Sequence, residues 1–255
     1  MVTSLTLTGI LLQGIIPVVG IIGIFLYFYR KERFSWKPVA AGALTFFFFT
    51  QILEKILHLA VLGTNPDFSK QTLLLIIYGP LAAGVFEETG RYLIMLLLLK
   101  RYRQRKDGIA FGIGHGGFEA LFIGLLGCVQ SLTYALLLNQ GKLDALLAGK
   151  LPVETIASLK DTLLNVPFSH LLMGGLERLP AIVIQIALSL FILYGIRTGK
   201  KSVWPTAILL HATFDFLPAM YQAHYVNLWI AEGFVFLFGC LAAAYITKSR
   251  QIFSS

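Results

Sequence analysis

Phe86-Glu87-Glu88-Thr89-Gly90-Arg91 sits inside an apolar run, with Leu73–Val85 before it and Leu93–Leu99 after it. The run is longer than the ~20 residues that cross roughly 30 Å of hydrocarbon. Three charges in its middle therefore decide how the chain is read. Each costs roughly 2.5–3.5 kcal/mol at the centre of a membrane helix, so each needs a partner or a task. On a helix Glu87 and Arg91 are four apart and share a face, which suits an ion pair. Glu88 is turned about 100° away, so at least one carboxylate must find a partner on another helix.

The rest of the chain repeats the apolar pattern. Of 255 residues, 56% are hydrophobic and 13% charged, well below the charge content of a soluble domain. The expectation is an all-α integral membrane protein, a single polytopic domain over 1–255. Seven runs are long enough to span, near 5–29, 38–62, 72–99, 108–138, 174–196, 202–222 and 225–247. Gly84, Gly90, Gly112, Gly114, Gly116 and Gly117 cluster in the third and fourth, where small residues let helices approach closely. Cys128 and Cys240 lie inside apolar runs and read as small apolar core residues.

The basic residues give an orientation. Arg30, Lys31, Arg33, Lys37, Lys100, Arg101, Arg103, Arg105, Lys106, Arg197, Lys200, Lys201, Lys248 and Arg250 fall on one side of the seven runs, whereas only Lys70, Lys142, Lys150 and Lys160 fall on the other. The richer side is cytoplasmic by the positive-inside rule, with the N-terminus outside and the C-terminus inside a cytoplasmic membrane. A net charge of +8 placed this way speaks for membrane orientation and against nucleic acid as partner. Met1–Tyr29 lacks Lys and Arg, so it reads as a first span and not as a secretory signal. The outer connection 139–173 carries Leu143, Leu146, Leu147, Ile156, Leu159, Leu163 and Leu164 at helical spacing, which predicts two short surface helices, packed or acting as a lid.

Counting inward from the cytoplasmic charges at about 1.5 Å per residue brings the polar residues of four runs to one layer. Arg91, His115 and His211 come out roughly 14–15 Å deep, and Gln185, Glu87, Glu119 and Asp215 roughly 18–21 Å. His115 and Glu119 are four apart, as are His211 and Asp215, so each pair lies along one helical face. Two such faces turned towards Glu87 and Glu88 gather imidazoles and carboxylates near the midplane.

Two chemistries suit that set. His115, Glu119, His211 and Asp215 suit a metal such as zinc (Zn2+), which takes three protein ligands in catalytic sites and lowers the pKa of water. Alternatively, without metal, a glutamate in an apolar pocket activates water with a histidine while the other histidine and Asp215 stabilise the oxyanion. In either, Arg91 orients a glutamate. Buried ion pairs as packing glue are the structural alternative. A second group, Glu54, Lys55, His58, Glu177 and Arg178, counts out near the outer edge. Pairs such as Glu54 with Arg178 or Lys55 with Glu177 would neutralise it there, and its functional alternative is a gate or substrate clamp.

These motifs resemble a known family. Glu87-Glu88-x-x-Arg91, Phe111-x-x-x-His115 with Glu119, and His211-x-x-x-Asp215 are similar to the three motifs of the YhfC family of intramembrane metalloproteases. More distantly they resemble PrsW-type proteases, type II CAAX prenyl endopeptidases and the APH subunit of γ-secretase. The resemblance implies an endopeptidase acting on a transmembrane or membrane-associated peptide in the lipid bilayer. By it Glu87 and His115 activate water, His211 and Asp215 assist, and Glu88 is open to either glutamate role. The arginine follows the doublet after two residues and the last motif ends in Asp, both unlike the CAAX pattern. The APH relative is a scaffold, so a non-catalytic membrane scaffold is one alternative, and a proton-coupled transporter is another.

Overall fold

The computed structural model describes residues 1–65 and 71–254. Lys70, counted above on the outer side, lies outside them. The described residues form helices throughout and no strand. In chain order these are α1 (Ser4–Glu32), α2 (Trp36–Phe46), a π-helical segment (Phe47–Glu54), α3 (Lys55–Thr64), α4 (Thr72–Leu97) and α5 (Arg105–Asn139). The short helices α6 (Leu143–Leu147), α7 (Val153–Asn165) and α8 (Phe168–Leu176) follow, then α9 (Arg178–Thr198), α10 (Val203–Gln222) and α11 (Leu228–Ser254). Among the described residues six stretches are long and apolar enough to cross a membrane: 4–32, 36–64, 72–97, 105–139, 168–198 and 228–254. This is the make-up of an integral membrane protein. Helix α10 is 20 residues long but carries His211 and Asp215, and it is not among the six.

Local chemistry sets several boundaries. Ser35 caps α2, its hydroxyl accepting from the Lys37 N–H at 3.3 Å. Helices α5 and α9 both end on a glycine in the left-handed region, Gly141 and Gly199, each at φ 70°. At each the next residue reaches back to the last turn, Lys142 N–H to Leu137 O at 2.9 Å and Lys200 N–H to Gly195 O at 2.8 Å. Only glycine takes that backbone without Cβ strain.

The chain falls into two compact units. The first holds Met1–Ile22 and Ala120–Leu179. Its core joins Val2 and Ile10 of the N-terminal stretch to Cys128 and Ala135 of α5, Leu143 and Leu147 of α6, and Ile156 and Leu163 of α7. The predicted short helices of 139–173 are thus present, with Leu143, Leu147, Ile156 and Leu163 turned inward, while Leu146 and Leu164 are exposed. Glu177 pairs with its neighbour Arg178 in this unit.

The second unit holds Gly23–Glu119 and the chain from Pro180 onward. Its core helix is α9, buried on nearly every face from Pro180 to Gly195, as expected of a helix that is apolar all round. Helices α4 and α10 pack along each other. Arg105 ties three elements at one end, donating to Glu32 Oε1 at 2.5 Å, Ser249 Oγ at 2.7 Å and Ile246 O at 2.8 Å. The two cysteines differ from the expectation: Cys128 is a core residue, but Cys240 is exposed on α11, and both are free.

Candidate active site

The site residues all lie in the second unit. Helix α4 supplies Glu87, Glu88 and Arg91; α5 supplies His115 and Glu119; α9 supplies Gln185 and Ser189; α10 supplies His211 and Asp215. These helices come close enough because small residues stand at the crossings. A Cβ on Gly112 would lie 2.5 Å from Ile186 Cα and 3.0 Å from Gln185 O. A Cβ on Gly84 would lie 2.7 Å from Ile208 O on α10. The backbones of α5 and α9, and of α4 and α10, are therefore nearly in contact one turn from the site.

The two adjacent glutamates diverge, as the 100° step between neighbours requires. Glu87 Oε2 is 2.8 Å from His115 Nε2 and accepts from Gln185 Nε2 at 3.0 Å. Glu88 Oε1 is 2.7 Å from His211 Nδ1. The other ring nitrogen of His211 faces Asp215 at 3.4 Å and Glu87 at 3.8 Å. Both carboxylates of the doublet thus meet a histidine from another helix. The i,i+4 pair of Glu87 with Arg91 does not form. Arg91 Nε instead pairs with Glu88 Oε2, at i+3, over 3.1 Å.

Arg91 is completely buried, and its fork is spread over α9. Nη1 donates to Gln185 O and to Ser189 Oγ, both at 2.7 Å, and Nη2 donates to Gln185 Oε1. That fixes which way the Gln185 amide points, because its oxygen must face the guanidinium. Its NH2 group then faces two carboxylates, Glu87 at 3.0 Å and Glu119 at 2.7 Å. One arginine therefore orients Glu88 directly and Glu87 and Glu119 through an amide.

Glu87, His115 and Glu119 each offer a ligand atom within 4.8 Å of the others. His211 and Asp215, placed with the metal group on sequence grounds, are not part of this trio and face one another instead. The donor set, two carboxylates and an imidazole, suits a divalent ion such as zinc. The charge balance points the same way. The cluster holds four carboxylates, Glu87, Glu88, Glu119 and Asp215, and one guanidinium, which pairs with Glu88; low dielectric penalises that excess of negative charge until a cation or protons offset it. His115 Nδ1 is buried without a hydrogen-bond partner. The His115 ring itself is wedged between Phe46, edge-on at 5.5 Å, and Phe111, stacked at 6.2 Å. Phe111, four residues before His115, is thus the wall that holds the imidazole.

Exposure grades across the site. Glu88, Arg91 and His115 are sealed, Glu87, Gln185 and His211 nearly so, and the Asp215 side chain is 29% exposed. Glu119 is half-buried. The more exposed edge of the cluster is at Glu119 and Asp215.

Residues 15–235 match the family described as YhfC intramembrane metalloprotease. The chain belongs to the YhfC family. It is 37% identical to the uncharacterized membrane protein YhfC of Bacillus subtilis (strain 168) over 257 residues, 99% of this chain and 100% of that one. No solved structure matches the chain. Every residue of the site falls within the span that the YhfC family covers. Ser189 was not apparent from sequence, although a hydroxyl one turn after Gln185 in an apolar helix was a usable signal. The Glu88 link to His211 had no such signal, since it depends on how α4 and α10 are rotated.

Proposed function

We propose that the chain is an intramembrane endopeptidase that hydrolyses a peptide bond in or near a transmembrane segment. The observation that carries this is the convergence of Glu87, His115 and Glu119 in a polar cluster inside an apolar helical unit. The family description supports it. In this reading α10 also spans, giving seven crossings of the cytoplasmic membrane, with the N-terminus outside and the C-terminus inside.

Glu87, His115 and Glu119 would hold the metal, with zinc the ion their donors suit. Once bound, it would supply Lewis-acid polarisation and make water a better nucleophile at neutral pH. The side chains carry the protons. Glu87 would offer one carboxylate oxygen as ligand, and the other would take a proton from the attacking water as that water's oxygen bonds to the carbonyl carbon. The same proton passes to the amide nitrogen as the C–N bond breaks. His211, fixed through Nδ1 by Glu88, presents Nε2 towards Glu87 and Asp215, where it donates to the oxyanion. Gln185 and Arg91 keep the carboxylates in place and do not touch the reacting atoms.

The test is a cleavage assay in proteoliposomes with a panel of single-span substrates, wild type beside Glu87→Ala, His115→Ala and His211→Ala. Each variant is expected to lose at least about 100-fold in activity, the lower range for general acid–base groups, while retaining its helical spectrum. Wild-type rates in all three would refute the assignment. Metal content of the purified protein supplies the second readout: about one zinc per chain, lost in His115→Ala, is expected for a three-ligand site.

A further inference from the structure

The π-helical segment Phe47–Glu54 takes no part in the site described so far, yet it lies beside it. Two contacts fix its position along α4. At one end His58 Nδ1 of α3 meets the Tyr78 hydroxyl at 2.8 Å. At the other, the Phe49 ring packs on Gly90 so closely that a Cβ there would lie 2.5 Å from it. Between these contacts α4 carries Glu87 and Glu88, and the facing stretch carries Thr50 and Glu54. Glu54 lies within electrostatic reach of Glu87, His211 and Asp215. On the far side, Phe46 touches the His115 ring.

Thr50 and Glu54 share an unusual property: Thr50 Oγ1 and Glu54 Oε2 are buried polar atoms with no hydrogen-bond partner. Elsewhere in this stretch threonine hydroxyls are satisfied by the preceding turn, Thr45 on Ala41 O at 2.7 Å and Thr64 on Ala60 O at 2.8 Å. Thr50 sits inside the wider π turn and makes no such bond. Glu54 is 93% buried by its 7% residual exposure. Its Oε1 is held by His58 Nε2 at 3.2 Å, and His58 is held in turn by Tyr78. That relay fixes the carboxylate and leaves Oε2 facing no protein donor. A buried oxygen left unsatisfied forfeits its hydration without compensation, more so when charged, and two of them one turn apart require an explanation. π-Helical turns occur often at functional sites.

The chemistry of the proposed reaction supplies one. A transmembrane segment must unwind before its peptide bond can be attacked. Unwinding frees N–H groups that hydrocarbon cannot satisfy. We infer that Thr50 and Glu54 form an acceptor strip that receives the backbone N–H groups of an unwound apolar segment beside the Glu87–His115 site. This rests on the peptidase reading and adds where the substrate backbone lies. Thr50 and Glu54 bind substrate, and His58 and Tyr78 position Glu54.

The probe is a fluorescent apolar peptide of about 20 residues, together with a series carrying one N-methyl group at successive backbone positions. Binding is measured in nanodiscs on the Glu87→Gln protein, and cleavage of the same peptides on the wild type. N-methylation at one or two positions is expected to weaken binding about tenfold, the worth of a hydrogen bond to a charged group. Thr50→Val and Glu54→Leu, added singly to the Glu87→Gln protein, are expected to weaken the unmethylated peptide by a similar factor and to abolish the methylation penalty at the matching position. Glu54→Gln, which keeps an acceptor, retains the penalty. Penalties unchanged in Thr50→Val and Glu54→Leu, or no binding of any peptide, would overturn the inference. If a variant misfolds, the N-methyl series on Glu87→Gln alone still decides, since a flat series excludes a backbone acceptor strip. Binding with the expected pattern but no cleavage by the wild type would refute the peptidase reading and leave the strip standing.

Discussion

Gln185 is the residue on which the site's geometry turns. Its amide accepts from Arg91 on one side and donates to Glu87 and Glu119 on the other. Two like-charged carboxylates are thereby held by one neutral group whose orientation a buried arginine dictates. Gln185→Leu keeps the volume and removes all of these bonds, leaving Arg91 Nη2 without an acceptor. Thermal unfolding in detergent should show a loss of about 1–3 kcal/mol, the cost of stranding buried polar groups. Affinity for a divalent metal, followed with a competing chelator, should fall about 10–100-fold, as when an outer partner of metal ligands is removed. Unchanged affinity would mean that Glu87 and Glu119 are not held through Gln185. Sequence reasoning reached the members of this network but not its wiring. Depth counting put Gln185 in the layer of Glu87 because rise per residue is fixed. The expected Glu87–Arg91 pair failed because His115 and Gln185, from other helices, occupy the Glu87 carboxylate. No spacing rule within α4 reports on that.

At the scale of elements, the crossings of α5 with α9 and of α4 with α10 bring the polar faces together. His115–Glu119 and His211–Asp215 were legible as faces because four residues nearly complete a turn. Their rotation about the helix axes was not legible, and it determines that His115 meets Glu87 while His211 meets Glu88. The π turn was equally hidden: Phe47-Phe48-Phe49-Thr50 reads as an ordinary apolar run, and its hydrogen-bond register has no compositional mark. Glycine placement is the part of the crossings that sequence did announce. Gly112→Val puts branched carbons where Ile186 Cα already stands at 2.5 Å from a Cβ, so α5 must shift away from α9. The expected cost is about 1–3 kcal/mol, as for overpacking a filled core. Because His115 is three residues further along α5, the same variant should lose bound metal, whereas Gly23→Val, which meets no neighbouring atom, should retain both stability and metal. Equal behaviour of the two variants in unfolding and metal analysis would argue against the crossing as the determinant.

For the molecule as a whole, orientation sets which compartment the open side of the site addresses. The basic residues are divided unevenly, with Lys100, Arg101 and Arg103 between α4 and α5, Arg105 and Lys106 in the first turn of α5, and Lys200 and Lys201 between α9 and α10. Helix α7, between α5 and α9, carries Glu154, Lys160 and Asp161 with far less positive charge. Positive charge near span ends holds a loop on the cytoplasmic side. The expectation rests on α10 crossing, since with α10 outside the bilayer α11 would end on the other side. A three-point accessibility experiment separates these topologies. In a background with Cys128→Ala and Cys240→Ser, Glu154→Cys and Lys201→Cys each add one exposed thiol. A membrane-impermeant maleimide applied to intact cells is expected to label Glu154→Cys, and to label Lys201→Cys only after permeabilisation. A third thiol at Ser254, exposed at the end of α11, decides the status of α10: with α11 a span, protection in intact cells, like Lys201→Cys, requires that α10 cross too. Labelling of Ser254→Cys from outside would instead place α10 within one leaflet or at the surface. His211 and Asp215 would then approach Glu87 and Glu88 from a re-entrant helix, a geometry that leaves a shorter path from water to the site.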